Sequence, residues 1–162
     1  MSSASLHFSF PERVNERAAR LVASVVALTL AVALATGQTW LVPVLAVGFL
    51  LRVGWGPRFS PLARLAMWTA GRLWSARPVP GKPKRFAQGV GATCTIAASV
   101  LLFAGPESAA ATAGSALVAM VAVFASLEAG LGWCAGCFLF AGLQRVGLVR
   151  ADDCPQCVGE RS

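Results

Sequence analysis

The sequence predicts an all-α integral membrane protein: a four-helix transmembrane bundle of two hairpins, with an interfacial amphipathic helix on the cytoplasmic side. Three observations carry that prediction. The 162 residues are 56% hydrophobic and only 13% charged, with a mean hydropathy of +0.66, which is too apolar for an ordinary soluble domain. Four apolar runs recur along the chain, and the Lys and Arg residues fall almost entirely between them.

The first run, Ala18 to Thr36, is interrupted only by Arg20. At about 1.5 Å per residue it is long enough to cross roughly 30 Å of hydrocarbon. The pattern Ala33-Leu34-Ala35 resembles a signal cleavage site, but the preceding leader is long and contains Phe8, Phe10 and Glu residues, so the segment is expected to be retained. The second run, Trp40 to Leu51, is short, with Pro43 near its start and Gly48 inside it. It spans only if the helix continues past Arg52 toward Trp55, and is otherwise re-entrant. The third run is Phe86 to Ala104, and the fourth, Ala113 to Leu143, is interrupted only by Glu128. The expected organisation is one membrane domain with spans at 18–36, 40–55, 86–104 and 113–137, a loop at 56–85 and a cysteine-containing tail at 144–162.

Orientation follows from the 14 Lys and Arg residues. Arg13, Arg17 and Arg20 precede or begin the first span, eight cations lie from Arg52 to Arg85, and Arg145, Arg150 and Arg161 follow the fourth span. The positive-inside rule then places both termini and the central loop in the cytoplasm, with two short turns outside. The net charge of +7 is accordingly a topology signal. Spread over three membrane-flanking regions without an aromatic-studded basic motif, it does not point to nucleic acid.

Within the central loop, Ser60-Pro61 reads as a helix start, a capping hydroxyl followed by proline at the first helical position. A helix from Pro61 to Ala76 places Leu62, Leu65, Ala66, Met67, Ala70, Leu73 and Trp74 on one broad face. Such a helix suits the lipid headgroup layer or the inner end of the bundle. Arg77-Pro-Val-Pro-Gly-Lys-Pro-Lys-Arg85 then reads as an extended linker without chemistry. The five tryptophans fall near span ends and read as interface anchors. No internal repeat is visible.

The residues able to do chemistry are cysteines. Cys134-Ala-Gly-Cys137 and Cys154-Pro-Gln-Cys157 form two C-x-x-C pairs separated by sixteen residues. Placed at the cytoplasmic edge, where static disulfides are disfavoured, they suit a reversible dithiol. At the first turn of a helix the leading thiol faces unpaired N–H groups that lower its pKa. Gly130, Gly132 and Gly136 offer a place to break the fourth run so that a short helix starts at Cys134. The reading is Cys134 as attacking thiol, Cys137 as resolving thiol, and Cys154 and Cys157 as a shuttle to a soluble partner. The alternative is a four-thiolate zinc site of Cys134, Cys137, Cys154 and Cys157; the mostly apolar stretch between the pairs is unlike a zinc ribbon's hairpin. Otherwise no cofactor is predicted.

Glu128 is expensive inside a membrane and is therefore a functional candidate, either as a proton relay or as a carboxyl hydrogen-bonded to a neighbouring helix. On an ideal helix it points away from both cysteines, so it could act as their base only across a kink. A small transporter of a sulfur compound titrating Glu128, assembled as a homo-oligomer, is the reading from a different class. Cys94 at similar depth reads as packing, and Gly132-x-x-x-Gly136 as close helix contact. His7, the only histidine, has no Ser or Cys partner motif.

Asn15, the Thr36-Gly37 turn, Gly56-Pro-Arg-Phe-Ser-Pro61 and above all Gly132-Trp-Cys134-Ala-Gly-Cys137-Phe resemble the bacterial membrane family called domain of unknown function 4395. The resemblance covers nearly the whole chain. It implies a bacterial inner-membrane protein in contact with lipid. Actinobacterial members are often encoded near thioredoxin-like proteins and rhodanese-type sulfurtransferases, and the resemblance therefore implies thiol or sulfur chemistry with a partner of that kind, centred on the first cysteine pair. The family brings no established activity.

Overall fold

The computed structural model describes residues 12–56, 59–104 and 109–149. Among these residues it has six helices and one two-stranded ribbon. The order is β1 (Arg13–Asn15), α1 (Glu16–Thr36), α2 (Leu41–Trp55), α3 (Pro61–Leu73), β2 (Pro78–Pro80), α4 (Gly81–Phe103), α5 (Ala109–Leu131) and α6 (Ala135–Arg145). Helices α1, α4 and α5 are long and apolar enough to cross a membrane; α2, with 15 residues, is shorter. It does continue helically past Arg52 to Trp55, with Pro43 accommodated in its first turn, where no amide donor is needed. Large side chains such as Leu28, Val100, Phe103 and Val123 face outward, as suits lipid, while Val26, Leu30, Val42 and Val118 fill the core.

The termini of the long helices are gathered at one end. β1 pairs antiparallel with β2, with Val14 opposite Val79, so α1 and α4 start side by side. α1 packs on α5, α4 on α2 and on α5, α3 on α1, and α6 on α4. Arg20 Nε donates to the Ala129 carbonyl at 3.1 Å, and Arg85 Nε donates to the Val53 carbonyl at 3.0 Å, so each arginine at the start of a long helix caps the end of its neighbour.

That last pair exposes a repeat that residue identities conceal. Each half is a short strand, a long helix, a second helix and a short capped helix. The Glu16 N–H donates to the Arg77 carbonyl just as the Gly81 N–H donates to that of Glu12. α2 ends with the Gly56 N–H on the Arg52 carbonyl, and α5 with the Gly132 N–H on that of Glu128; both glycines have positive φ. Then Ser60 Oγ accepts the Ala63 N–H at 3.5 Å, and Cys134 Sγ accepts the Cys137 N–H at 3.4 Å. Among the described residues the chain thus runs twice through the same order, a strand followed by three helices, with the two strands paired antiparallel.

Three expectations are corrected. The stretch 77–85 is extended only through Pro80, because Pro83 falls within the first turn of α4, where its missing N–H costs nothing. The span expected at 113–137 stops at Leu131, broken by Gly132 at φ 72°. Helix α3 packs inward through Ala63, Ala66 and Ala70; of its expected apolar face, Leu65 is exposed, as are Leu73 and, just past the helix end, Trp74. Short side chains allow α3 to approach α1 closely, which leaves the large ones outside, with the Arg72 guanidinium over the Trp68 ring at 4.4 Å.

Candidate functional site

The break between α5 and α6 builds the site. Gly132 turns the chain through a left-handed conformation that a side chain resists, and Cys134 then stands as N-cap of α6 in extended backbone. A sulfur takes the place of the usual hydroxyl and accepts the Cys137 N–H. One helical turn on, the Cys137 side chain comes round to the same spot, and its thiol donates to Cys134 Sγ at 2.8 Å. Both thiols are free, with Cys134 buried and Cys137 half-buried. Gly136 lets α6 seat directly on α4: a Cβ at that position would run into Ala87. The close packing expected of the Gly132-x-x-x-Gly136 motif is thus made by its second glycine.

Two charges flank the thiols. Lys84, on the first turn of α4, forms an ion pair with Glu128, near the end of α5, and both side chains are largely buried. Glu128 is thus hydrogen-bonded to a neighbouring helix, as one of its two readings expected, with a lysine cation of α4 as the partner; Lys84 lies in the stretch expected to be a mere linker. Arg52 adds a further buried cation. Its Nε donates to Gln88 Oε1 at 2.8 Å, its guanidinium lies over the Phe49 ring at 4.6 Å, and its Nη2 is buried without a hydrogen-bond partner.

Both cysteines lie outside the long helices, and their acidities diverge. The hydrogen bond from Cys137, with help from the Lys84 cation and the Cys137 N–H, holds the Cys134 thiol below its ordinary value, against burial and the Glu128 carboxylate. The same bond, together with burial, pushes Cys137 well up. The two thiols are thus unequal in acidity and stand at contact distance, as a leading nucleophile and its resolving neighbour require.

A cleft of about 340 Å³ opens beside them between α4, α5 and α6. Cys134, Glu128 and Gln88 line one end, and Cys94 and Val121 line the other. Cys94 thus shares the cleft with Glu128 and is also packed against the core, as its size suggests.

Of the residues singled out in the sequence, Cys134, Cys137 and Glu128 come together here. Cys154 and Cys157 lie outside the described residues, as does His7. Among the described residues no three His, Cys, Asp or Glu side chains are grouped to hold a metal ion. Sequence reasoning missed Lys84, Gln88 and Arg52. A helical reading started at Gly81 would have placed Lys84, Gln88 and Gly91 on one face of α4, which was the available signal.

No curated protein and no solved structure matches the chain. The family model described as "Domain of unknown function (DUF4395)" does, over residues 14–145, a range that takes in both halves of the repeat and the first cysteine pair and stops before the second. With most of its length covered, the chain belongs to that family, domain of unknown function 4395.

Proposed function

We propose that this protein is a membrane-embedded thiol–disulfide or sulfur relay. It spans a bacterial cytoplasmic membrane four times, keeps both termini inside, and exchanges at the cytoplasmic face with a thioredoxin-like or rhodanese-type partner. The observation that carries the reading is the hydrogen-bonded Cys134–Cys137 pair at the amino end of α6. In the thiol exchange, the Cys134 thiolate attacks a partner disulfide, forming one S–S bond as the partner's breaks and releasing a partner thiolate. Cys137 then gives up its proton to that thiolate or to water and attacks Cys134 Sγ, which frees the second partner sulfur and leaves a Cys134–Cys137 disulfide. The tail pair Cys154 and Cys157 serves as shuttle. Helix α3, with Trp68 and Leu65 outward, lies in the inner headgroup layer.

The test is a trap. Cys137→Ser removes the resolving sulfur, so a reducible adduct through Cys134 should accumulate in cells and be seen on non-reducing gels; Cys134→Ser should give none at this position. Two variants that behave alike, losing bound zinc and stability together and trapping nothing, would establish a metal site in place of the relay. A Glu128-driven transporter predicts that Glu128→Gln abolishes pH-dependent function while leaving the thiols reactive; unchanged function in that variant would remove the transporter reading.

A further inference from the structure

We infer that the cleft beside Cys134 binds a lipid-soluble quinone, which takes up the electrons of the Cys134–Cys137 dithiol. The inference rests on the thiol-relay reading with the reversible exchange run in the other direction. A partner dithiol reduces the Cys134–Cys137 disulfide and is itself oxidised, and the quinone accepts the two electrons so gained. A dithiol that is repeatedly oxidised needs a partner accepting two electrons and two protons, and the shape and lining of the cleft say from which phase that partner comes.

The cleft has the volume of a small-ligand site, about 340 Å³. Its walls include Met120, Phe124, Phe138 and Leu139, all exposed on the outer surfaces of α5 and α6. Because α4 and α5 have membrane-crossing length and composition, a mouth between these side chains opens sideways to lipid. The entrant must therefore be lipophilic. At the inner end the lining becomes polar: Gln88, Glu128 and the sulfur of Cys134. Gln88 commits its Oε1 to Arg52 Nε, which leaves its amide N–H groups to donate. An acyl chain has no use for that end. A planar ring with carbonyl acceptors uses both parts, its faces against Phe124 and its oxygen toward the Gln88 amide, within reach of the thiolate.

The chemistry balances. One S–S bond forms between Cys134 and Cys137, and the two sulfurs together lose two electrons. The quinone gains them, and its two carbonyl oxygens become hydroxyls. Each thiol gives up one proton, passed to the quinone oxygens directly or by way of water.

The experiment uses the full-length protein in phospholipid vesicles, prereduced and kept anaerobic, with decyl-substituted benzoquinone as the probe. Quinone absorbance and the Cys134–Cys137 disulfide are followed together, and exchange with a water-soluble aromatic disulfide is measured in parallel. One quinol per disulfide is expected. Ala125→Phe and Met120→Trp, which fill the cleft away from the sulfurs, should slow quinone reduction by about tenfold or more while leaving exchange with the soluble disulfide near the parent rate. The two variants guard against one of them failing to fold. Quinone reduction that is absent in the parent while soluble exchange proceeds overturns the acceptor and leaves the relay standing. Equal quinone rates in parent and both variants overturn the cleft as its site. Loss of both reactions in the parent overturns the relay itself.

Discussion

The two halves of this molecule have the same backbone plan and opposite chemistry. In the first half, the helix break is capped by Ser60, whose neighbour one turn on is Ala63, and the side chain at the end of the preceding helix is Arg52. In the second half, the same three places hold Cys134, Cys137 and Glu128. A hydroxyl and a methyl can only hold a helix end; two sulfurs in the same geometry can exchange electrons. The difference teaches that the same capped helix start occurs twice, and that one copy carries sulfurs at the cap and one turn beyond it. The other copy still contributes, since Arg52 reaches across to Gln88 on α4.

The sharpest way to break the comparison is to make the second cap like the first. Cys134→Ser keeps a good N-cap, so thermal unfolding in detergent should change little, whereas thiol exchange should be abolished. Ser60→Ala should do the converse: a stability loss of about 1 kcal/mol with exchange retained, measured on the same preparations.

Next in size is the seating of α6. Gly136→Ala drives a methyl group into the Ala87 backbone and must lift α6 from α4. Overpacking of this kind costs about 1–3 kcal/mol, and displacement of the cap should slow exchange by about tenfold. Gly71→Ala on α3 meets nothing within 4 Å and serves as the control from the other half, with unchanged exchange and a slight gain in stability.

Electrostatics should produce smaller effects of opposite sign. Lys84 lowers the Cys134 pKa and Glu128 raises it. A lowered pKa means more thiolate at a given pH, so the parent should be alkylated at pH values where an ordinary thiol is still protonated. Removing the cation in Lys84→Gln moves that profile to higher pH, and removing the carboxylate in Glu128→Gln moves it lower. Alkylation rate against pH, read at Cys134 in a background lacking the tail cysteines, checks the signs; shifts in the same direction for both would show that the pair acts only through structure.

How much of this was legible depended on which physical signal each element carries. The long apolar runs were readable because length and composition suffice for them. The glycines around Cys134 marked the break, since only an interruption could give its sulfur a helix start. The ribbon was invisible: Pro78-Val-Pro80 has neither the length nor the alternation of a strand and is held by pairing with residues far away in sequence. The repeat was invisible because it resides in backbone contacts, with Arg52 standing where Glu128 stands in the other half. The packed face of α3 was read in part: Leu62, Ala66, Met67 and Ala70 do meet the core. Large apolar residues usually mark the buried face, whereas here alanines make the close contact and Leu65, Leu73 and Trp74 are left exposed. Lys84 was missed because the prolines around it read as a linker, and its burial depends on a carboxylate forty-four positions away.

The smallest expected effect separates the halves most cleanly, because the residues involved are equivalent. Arg20 and Arg85 stand at matching positions and each donates to a carbonyl in the last turn of a neighbouring helix. Arg20 also holds the Gly130 carbonyl, two residues before the Gly132 turn that sets the position of Cys134. Losing a charged donor at a helix end costs about 1 kcal/mol in either place. Arg20→Gln loosens the last turn of α5 and so the cap, while Arg85→Gln loosens the end of α2, which leads only to Ser60. Exchange should therefore fall severalfold in Arg20→Gln and stay near the parent rate in Arg85→Gln, with similar losses of thermal stability. Equal losses of exchange would mean that the site responds to global stability alone, and that the second half holds its sulfurs no more specifically than the first holds its serine.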